Sequence, residues 1–218
     1  ALEWWQQALP LLQAAGERAE EASALLYIGE AQLAAGDAEP ALQVFQQSQA
    51  AFRDARDASG EGSAAAAEGR ALEKLGRRPE ALARYESAVT LCRDAGDSDC
   101  LRVALSLAGT AKREEGDAAG AVRDLEEAIG LHRAARDRTA EGRDLSTLGQ
   151  AYETQRDEAA ALRAYSEAVA IDVDVGDVSG EAWDRQRAAS MLTSLGRDRE
   201  AVVELKRALE LRRQLNQG

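Results

Sequence analysis

The sequence predicts an all-α fold built from stacked helical hairpins, and three observations carry that prediction. Residue size repeats with a period of 40 along the whole chain. Within each period the apolar positions follow helical spacing. Composition suits closely packed helices, with 45% hydrophobic residues but only 4% aromatics, and three prolines in 218 residues. Small side chains let helix axes approach, and scarce proline leaves long stretches free to form uninterrupted helix.

The register is read by counting. Gly29, Gly69, Gly109, Gly149 and Ala189 form one column, and Ala31, Ala71, Ala111, Ala151 and Met191 form another two residues on. Ala41, Ala81, Ala121, Ala161 and Ala201 are followed by Phe45, Tyr85, Leu125, Tyr165 and Leu205, then by Ser48, Ala88, Ala128, Ala168 and Ala208. One such hairpin has a bare apolar side and needs copies of itself to bury it.

Taken in order, the elements begin on a second helix. A shift of one period sets Ala1 on Ala41, Trp5 on Phe45 and Leu11 on Ala51, so residues 1–15 are expected to form an orphan helix. Starting in mid-repeat and without Met, the chain is expected to be a fragment of a larger protein. Five helix pairs follow, over about 16–57, 58–97, 98–137, 138–177 and 178–218, giving eleven helices in one domain. In the third pair the first helix is expected from about Asp99 to Glu115, with Val103, Leu105, Leu107, Ala108 and Ala111 on its apolar side. The second helix sets Val122, Leu125, Ala128, Ile129 and Leu131 opposite Arg123, Asp124, Glu126 and Glu127, the stripe of an amphipathic helix.

Gly116-Asp117 stands between them, where Gly accepts the left-handed backbone that ends a helix and Asp caps the next. The same punctuation recurs as Gly36-Asp37, Gly76-Arg77, Arg156-Asp157 and Gly196-Arg197. Arg156 is the exception, since a side chain strains a left-handed turn. The links ARDASGEG, AGDSDC, ARDRTAEG and VGDVSGEA are polar and too short to separate domains. The last helix is expected from about Arg199 to Leu215.

Composition also excludes function classes. A formal charge of -12 repels phosphate backbones and argues against nucleic acid. No apolar run reaches the length of a spanning helix and no secretory signal opens the chain, so no membrane role is expected and the cytoplasm is the expected location. Cys92 and Cys100, with a lone His132, do not make a four-ligand zinc site, and free thiols are expected. Asp172, Asp174 and Asp177 in DVDVGD have their Gly and acidic positions in the wrong order for a calcium loop, and read as solvated helix-end carboxylates. His132 has no Ser or Cys partner on its helix face. No catalytic set, metal or cofactor is expected.

The columns resemble the tetratricopeptide repeat, whose pattern sets Leu-Gly and an aromatic in the first helix and Ala, aromatic, Ala in the second. Gly109, Ala121, Leu125 and Ala128 match it in the third pair, and Leu148, Gly149, Tyr152, Ala161, Tyr165 and Ala168 match it in the fourth. The long period is similar to the variant found in kinesin light chains, in spindle and G-protein adaptors and in bacterial signalling proteins. The first 32 residues are similar to arrays attached to bacterial caspase-like (CHAT) peptidases and nucleotide-switched regulators. Two ligand modes of the family lack their residues here. The only Asn is Asn216, so the inner asparagines that grip a peptide backbone are missing, as is the Lys and Asn set of a carboxylate clamp.

The resemblance implies an α-α superhelix whose first helices line a concave face that binds a protein or peptide partner. Candidate residues on that face are Leu26, Tyr27, Glu30, Arg70, Glu73, Ser106, Thr110, Arg113, Arg143, Ser146, Gln150, Trp183 and Gln186. Arg70, Arg113 and Arg143 offer forked donors to a carboxylate-bearing peptide, or else pair with Glu73 and Glu153. Trp183 is either an aromatic anchor or a cover over the gap left where Arg185 replaces an apolar residue. Leu26, Tyr27 and Leu33 form an apolar strip, or else Leu26 and Leu33 pack against the helix of Trp5. Two further readings remain open: self-association through the open ends of the array, and a regulatory arm of a larger enzyme.

Overall fold

A computed structural model describes residues 2–216 and forms eleven α-helices over them: α1 Leu2–Ala15, α2 Arg18–Ala35, α3 Ala38–Asp54, α4 Ala58–Lys74, α5 Arg78–Ala95, α6 Ser98–Glu114, α7 Ala118–Ala135, α8 Arg138–Thr154, α9 Glu158–Val175, α10 Val178–Ser194 and α11 Asp198–Leu215. This is the expected sequence of one leading helix and five pairs. Ala1 and the last two residues of the fifth repeat lie outside the described residues. By contact the chain divides into two compact units, Ala1–Ala111 and Lys112–Gly218, with the division inside α6. In the first unit α2 packs on α1, α3 and α4, and α4 also packs on α3 and α5. In the second, α8 packs on α7 and α9, and α10 on α9 and α11.

The columns are the core. Ala41, Ala81, Ala121, Ala161 and Ala201 are all buried, as are Ser48, Ala88, Ala128, Ala168 and Ala208. Phe45, Tyr85, Leu125 and Tyr165 are fully enclosed. The glycine column explains how such rings fit between helices. A Cβ on Gly29 would meet Phe45, on Gly69 would meet Tyr85 and on Gly149 would meet Tyr165, each well inside contact distance. In these three pairs the ring of the second helix lies directly on the bare backbone of its own first helix. Ala121→Leu is expected to overpack this core and cost about 1 to 3 kcal/mol. Chemical denaturation measures the cost, and a neutral result would remove Ala121 from the close helix contact.

Loops follow the expected chemistry and extend it. Gly36, Gly76, Gly116 and Gly196 take positive φ, and so does Arg156. Arg56 and Arg136 also sit there, in links between repeats, so the Arg-Asp dipeptide is a second way this chain ends a helix. The Asp that follows is the device common to most joints. Asp57, Asp117, Asp137, Asp157 and Asp177 each accept a hydrogen bond from the backbone N–H three residues on, satisfying a helix donor that has no intrahelical partner. Asp37 makes no such side-chain bond.

Three expectations change. Leu205, in the column of the enclosed Phe45, Tyr85, Leu125 and Tyr165, is 41% exposed, because among the described residues no further helix covers that side of α11. Val103, expected on the apolar side of α6, is 46% exposed; it falls on the opposite side of the helix from buried Leu105 and Ala108. Cys92 and Cys100 are joined rather than free, with Cα atoms 5.4 Å apart, because the short link between α5 and α6 folds them together.

Candidate functional site

The first helices of each unit carry the positions that vary from repeat to repeat. In the first unit, residues of α2, α4 and α6 enclose a groove of about 400 Å³. Leu26, Glu30, Ser63, Ala66, Arg70, Val103 and Leu107 line it, and Ser59, Asp97, Asp99 and Cys100 lie toward one end. Three candidates from the sequence, Leu26, Glu30 and Arg70, are brought together here. Tyr27 and Glu73 are not among its lining residues.

The polar groups of this groove are largely engaged with each other. The Arg70 guanidinium donates to the Glu30 carboxylate across one repeat, so its partner is Glu30 and not Glu73. At the groove end the Ser59 hydroxyl donates to Asp97 at 2.5 Å, and the backbone amides of Cys100 and Asp99 also point at this carboxylate. The Ser59 hydroxyl first, then those amides, hold the Asp97 carboxyl below its usual range. The result is a fixed negative charge beside an apolar floor. Leu26 packs with Leu9 of α1 against the cluster of Leu25 and Phe52, and Tyr27 is exposed but stacks on Trp5, ring centres 4.9 Å apart. Ser106 and Thr110 each donate to the carbonyl one turn back, of Arg102 and Ser106, a common use of hydroxyls inside helices.

In the second unit the corresponding face belongs to α8 and α10. Arg113 is half-buried and reaches Glu114 at 3.3 Å. Arg143 is exposed, and among the described residues it has no ion-pair partner. Gln186 is exposed, and the Gln150 amide donates to the Ser146 carbonyl at 3.4 Å. Trp183 is 37% exposed. Its ring packs edge-to-face with Tyr165, ring centres 5.8 Å apart, and the Arg187 guanidinium lies 5.9 Å from its centre. Neither Arg113 nor Arg143 takes Glu153. That carboxylate instead accepts from Arg187 and, at 2.5 Å, from the Tyr165 hydroxyl. Burial, with Glu153 beside it, pushes the Tyr165 phenol above its ordinary range. Arg185 is engaged with Glu181 and Glu204.

Sequence reasoning missed the buried acids. Glu21, Glu141 and Glu181 stand in one column and are buried. Each pairs with arginine, Glu21 with Arg18 at 2.6 Å, Glu141 with Arg133 at 2.6 Å and Arg138 at 2.7 Å, and Glu181 with Arg185 at 2.8 Å. Recurrence at one period was the available signal. Asp172, expected as a solvated carboxylate, is buried, because the last turn of α9 lies under α10. His132 is 2% exposed, with Asp137 and Asp144 each 3.5 Å from its ring nitrogens. Among the described residues, no group of three or more His, Cys, Asp or Glu is placed to hold a metal ion, and no helix is long and apolar enough to cross a membrane.

Fold and face together define an all-α helical-repeat protein whose variable positions lie on its first helices. Residues 23–55 match the family model of the tetratricopeptide repeat, and the whole chain has the tetratricopeptide-type repeat fold. No curated protein matches. Among solved structures, BtubC (BKLC) from P. vanneervenii is similar with a TM-score of 0.85 and 13% identity, covering 99% of this chain and 91% of that one. The apo form of RapI gives 0.77 at 12% identity over 100% and 92%. A putative kinesin light chain with TPR-like repeats from Podosopora anserina gives 0.73 at 15% identity over 90% and 97%. These likenesses concern the fold.

Proposed function

We propose that the chain is a non-catalytic, cytoplasmic protein-interaction scaffold, a single array over residues 1–218 whose first-helix face seats a segment of a protein partner. One observation carries the reading: the residues that vary between repeats line a groove, while the residues fixed in size are buried behind it. A surface free of packing duties is where recognition is placed in repeat proteins. Arg70 and Glu30 neutralise each other in the first unit, so the apolar floor at Leu26, Ala66, Val103 and Leu107 supplies the contact area there. In the second unit Arg143 and Trp183 are the accessible contacts, one a forked donor and the other an aromatic platform, with Arg113, Ser146, Gln150 and Gln186 around them. Ser106, Thr110, Glu73 and Tyr27 complete the proposed face.

Peptides selected from a displayed library on the intact chain supply the probe. Val103→Glu puts a charge on the groove floor at an exposed position and is expected to weaken selected peptides at least about tenfold, the loss of roughly 1.4 kcal/mol, with an unchanged melting temperature. Equal affinity for Val103→Glu and Arg143→Ala, taken together with the parent, rules the face out.

A second reading has its own observation. α11 leaves Val202, Val203, Leu205 and Leu209 exposed, and α1 leaves Trp4 and Leu11 exposed. Apolar rows of this kind are buried by association, here by a second copy through the ends of the array. Light scattering over a wide concentration range is expected to show a rising mass, and a constant monomer mass removes this reading.

A further inference from the structure

The buried residue near the end of each second helix changes chemistry from repeat to repeat. Phe52, Cys92, His132 and Asp172 stand one period apart and all four are buried. What each meets on the following first helix changes with it. Phe52 shares an apolar cluster with Ala64, Cys92 is bonded to Cys100, and His132 has Asp144 at 3.5 Å. Asp172 meets Asp184, carboxyl against carboxyl. The joint between α9 and α10 is therefore closed by two acids.

The surroundings do not neutralise them. Asp184 is 1% exposed and Asp172 is buried beside it. From α8 the Ser146 hydroxyl donates to Asp184 Oδ2 at 2.5 Å. The charged groups that face the pair are Asp177 at the start of α10 and Glu181 within it, both acidic. Glu181 is itself occupied by Arg185 and Arg207, and among the described residues no Lys or Arg pairs with Asp172 or Asp184. Asp172 Oδ2 and Asp184 Oδ1 receive no hydrogen bond from any other group. Gly142 and Gly180 bring backbone close, so that a Cβ on Gly180 would lie 3.0 Å from the Asp172 carboxyl. Two carboxyls in such a place hydrogen-bond only if one keeps its proton. Burial is the main reason that Asp184 is pushed up to about 8, and it also raises Asp172.

The geometry points to a proton-operated latch: a proton shared by Asp172 and Asp184 holds α10 against α9, and its loss loosens α10 together with the Ser146 and Trp183 positions on the first-helix face. The sign follows from linkage. In the unfolded chain an Asp carboxyl releases its proton near pH 4, whereas the folded pair keeps one until about pH 8. The native state therefore binds more protons across that window. The latch's contribution is full below about pH 4 and is lost as the pH rises to about 8.

Amide hydrogen exchange on the whole chain reads this directly, with rates corrected for their intrinsic pH dependence. Between about pH 6 and pH 8, protection of residues 178–194 is expected to fall at least about tenfold relative to residues 58–74, tenfold being one pK unit of linkage. Asp184→Asn supplies a permanent N–H donor to Asp172 and is expected to abolish this relative fall. Asp172→Asn performs the same substitution from the other side should the first variant not fold. A flat wild-type profile overturns the latch, as does a wild-type slope that persists in either Asn variant. Should neither variant fold, the wild-type profile alone decides.

Discussion

Tyr165→Ala is expected to destabilise the second unit by about 3 to 5 kcal/mol, the range for removing a fully buried aromatic side chain. The ring is completely enclosed. It lies on the bare backbone of Gly149, packs edge-to-face with Trp183 and carries a hydroxyl that donates to Glu153 at 2.5 Å. Truncation leaves a ring-sized cavity between α8, α9 and α10, and none of these helices can collapse into it without giving up its own column contacts. Tyr165→Phe separates packing from polarity. It keeps the ring and removes one hydrogen bond, at an expected cost of about 1.5 kcal/mol, the low end for a charged acceptor because Arg187 still serves Glu153. Urea denaturation of both variants gives the two numbers. A cost below about 1 kcal/mol for the Ala variant would show that the ring is not part of a packed core.

The second large effect is a change of sign between two glycines. Gly149→Ala would place a Cβ 2.6 Å from Tyr165 Cε1, and the ring has no space to retreat into. The expected cost is about 1 to 3 kcal/mol, even though Ala favours helix over Gly by about 1 kcal/mol. Gly130→Ala is the matched control. Gly130 is exposed within α7 and a Cβ there would meet nothing within 4 Å, so the helix gain stands alone at about 0.5 to 1 kcal/mol of stabilisation. Melting temperatures moving in opposite directions are the expected result; a shift in the same direction for both would mean that the glycine column is a matter of propensity and not of contact.

Several levels of this protein can be separated by what sets them. Helix number and boundaries were legible because periodicity and capping are local: an Asp three residues ahead of a backbone N–H acts within a single turn. Which small residues are buried was legible for the same reason, since five copies in one register average out the noise of any one. The candidate face was legible as a set of columns, and Leu26, Glu30 and Arg70 do meet in one groove. What the columns could not give was pairing. Arg70 joins Glu30 one repeat back, and Glu153 joins Arg187 and Tyr165, because the choice among several carboxylates within reach depends on rotamers and distances between helices.

Burial of acids was the other level closed to the sequence. Asp172 reads as a surface carboxylate at the end of a helix, and only the seating of α10 over it turns it into half of a buried pair with Asp184. Cys92 and Cys100 likewise read as two separate thiols until the link between α5 and α6 brings their Cα atoms to 5.4 Å. By itself the sequence determined the repeat, its period and its core, because those rest on side-chain size and on contacts within one hairpin. Tertiary structure decided which polar groups face each other across the joints, because a charge takes its meaning from partners and from solvent, and neither is set until the helices are stacked.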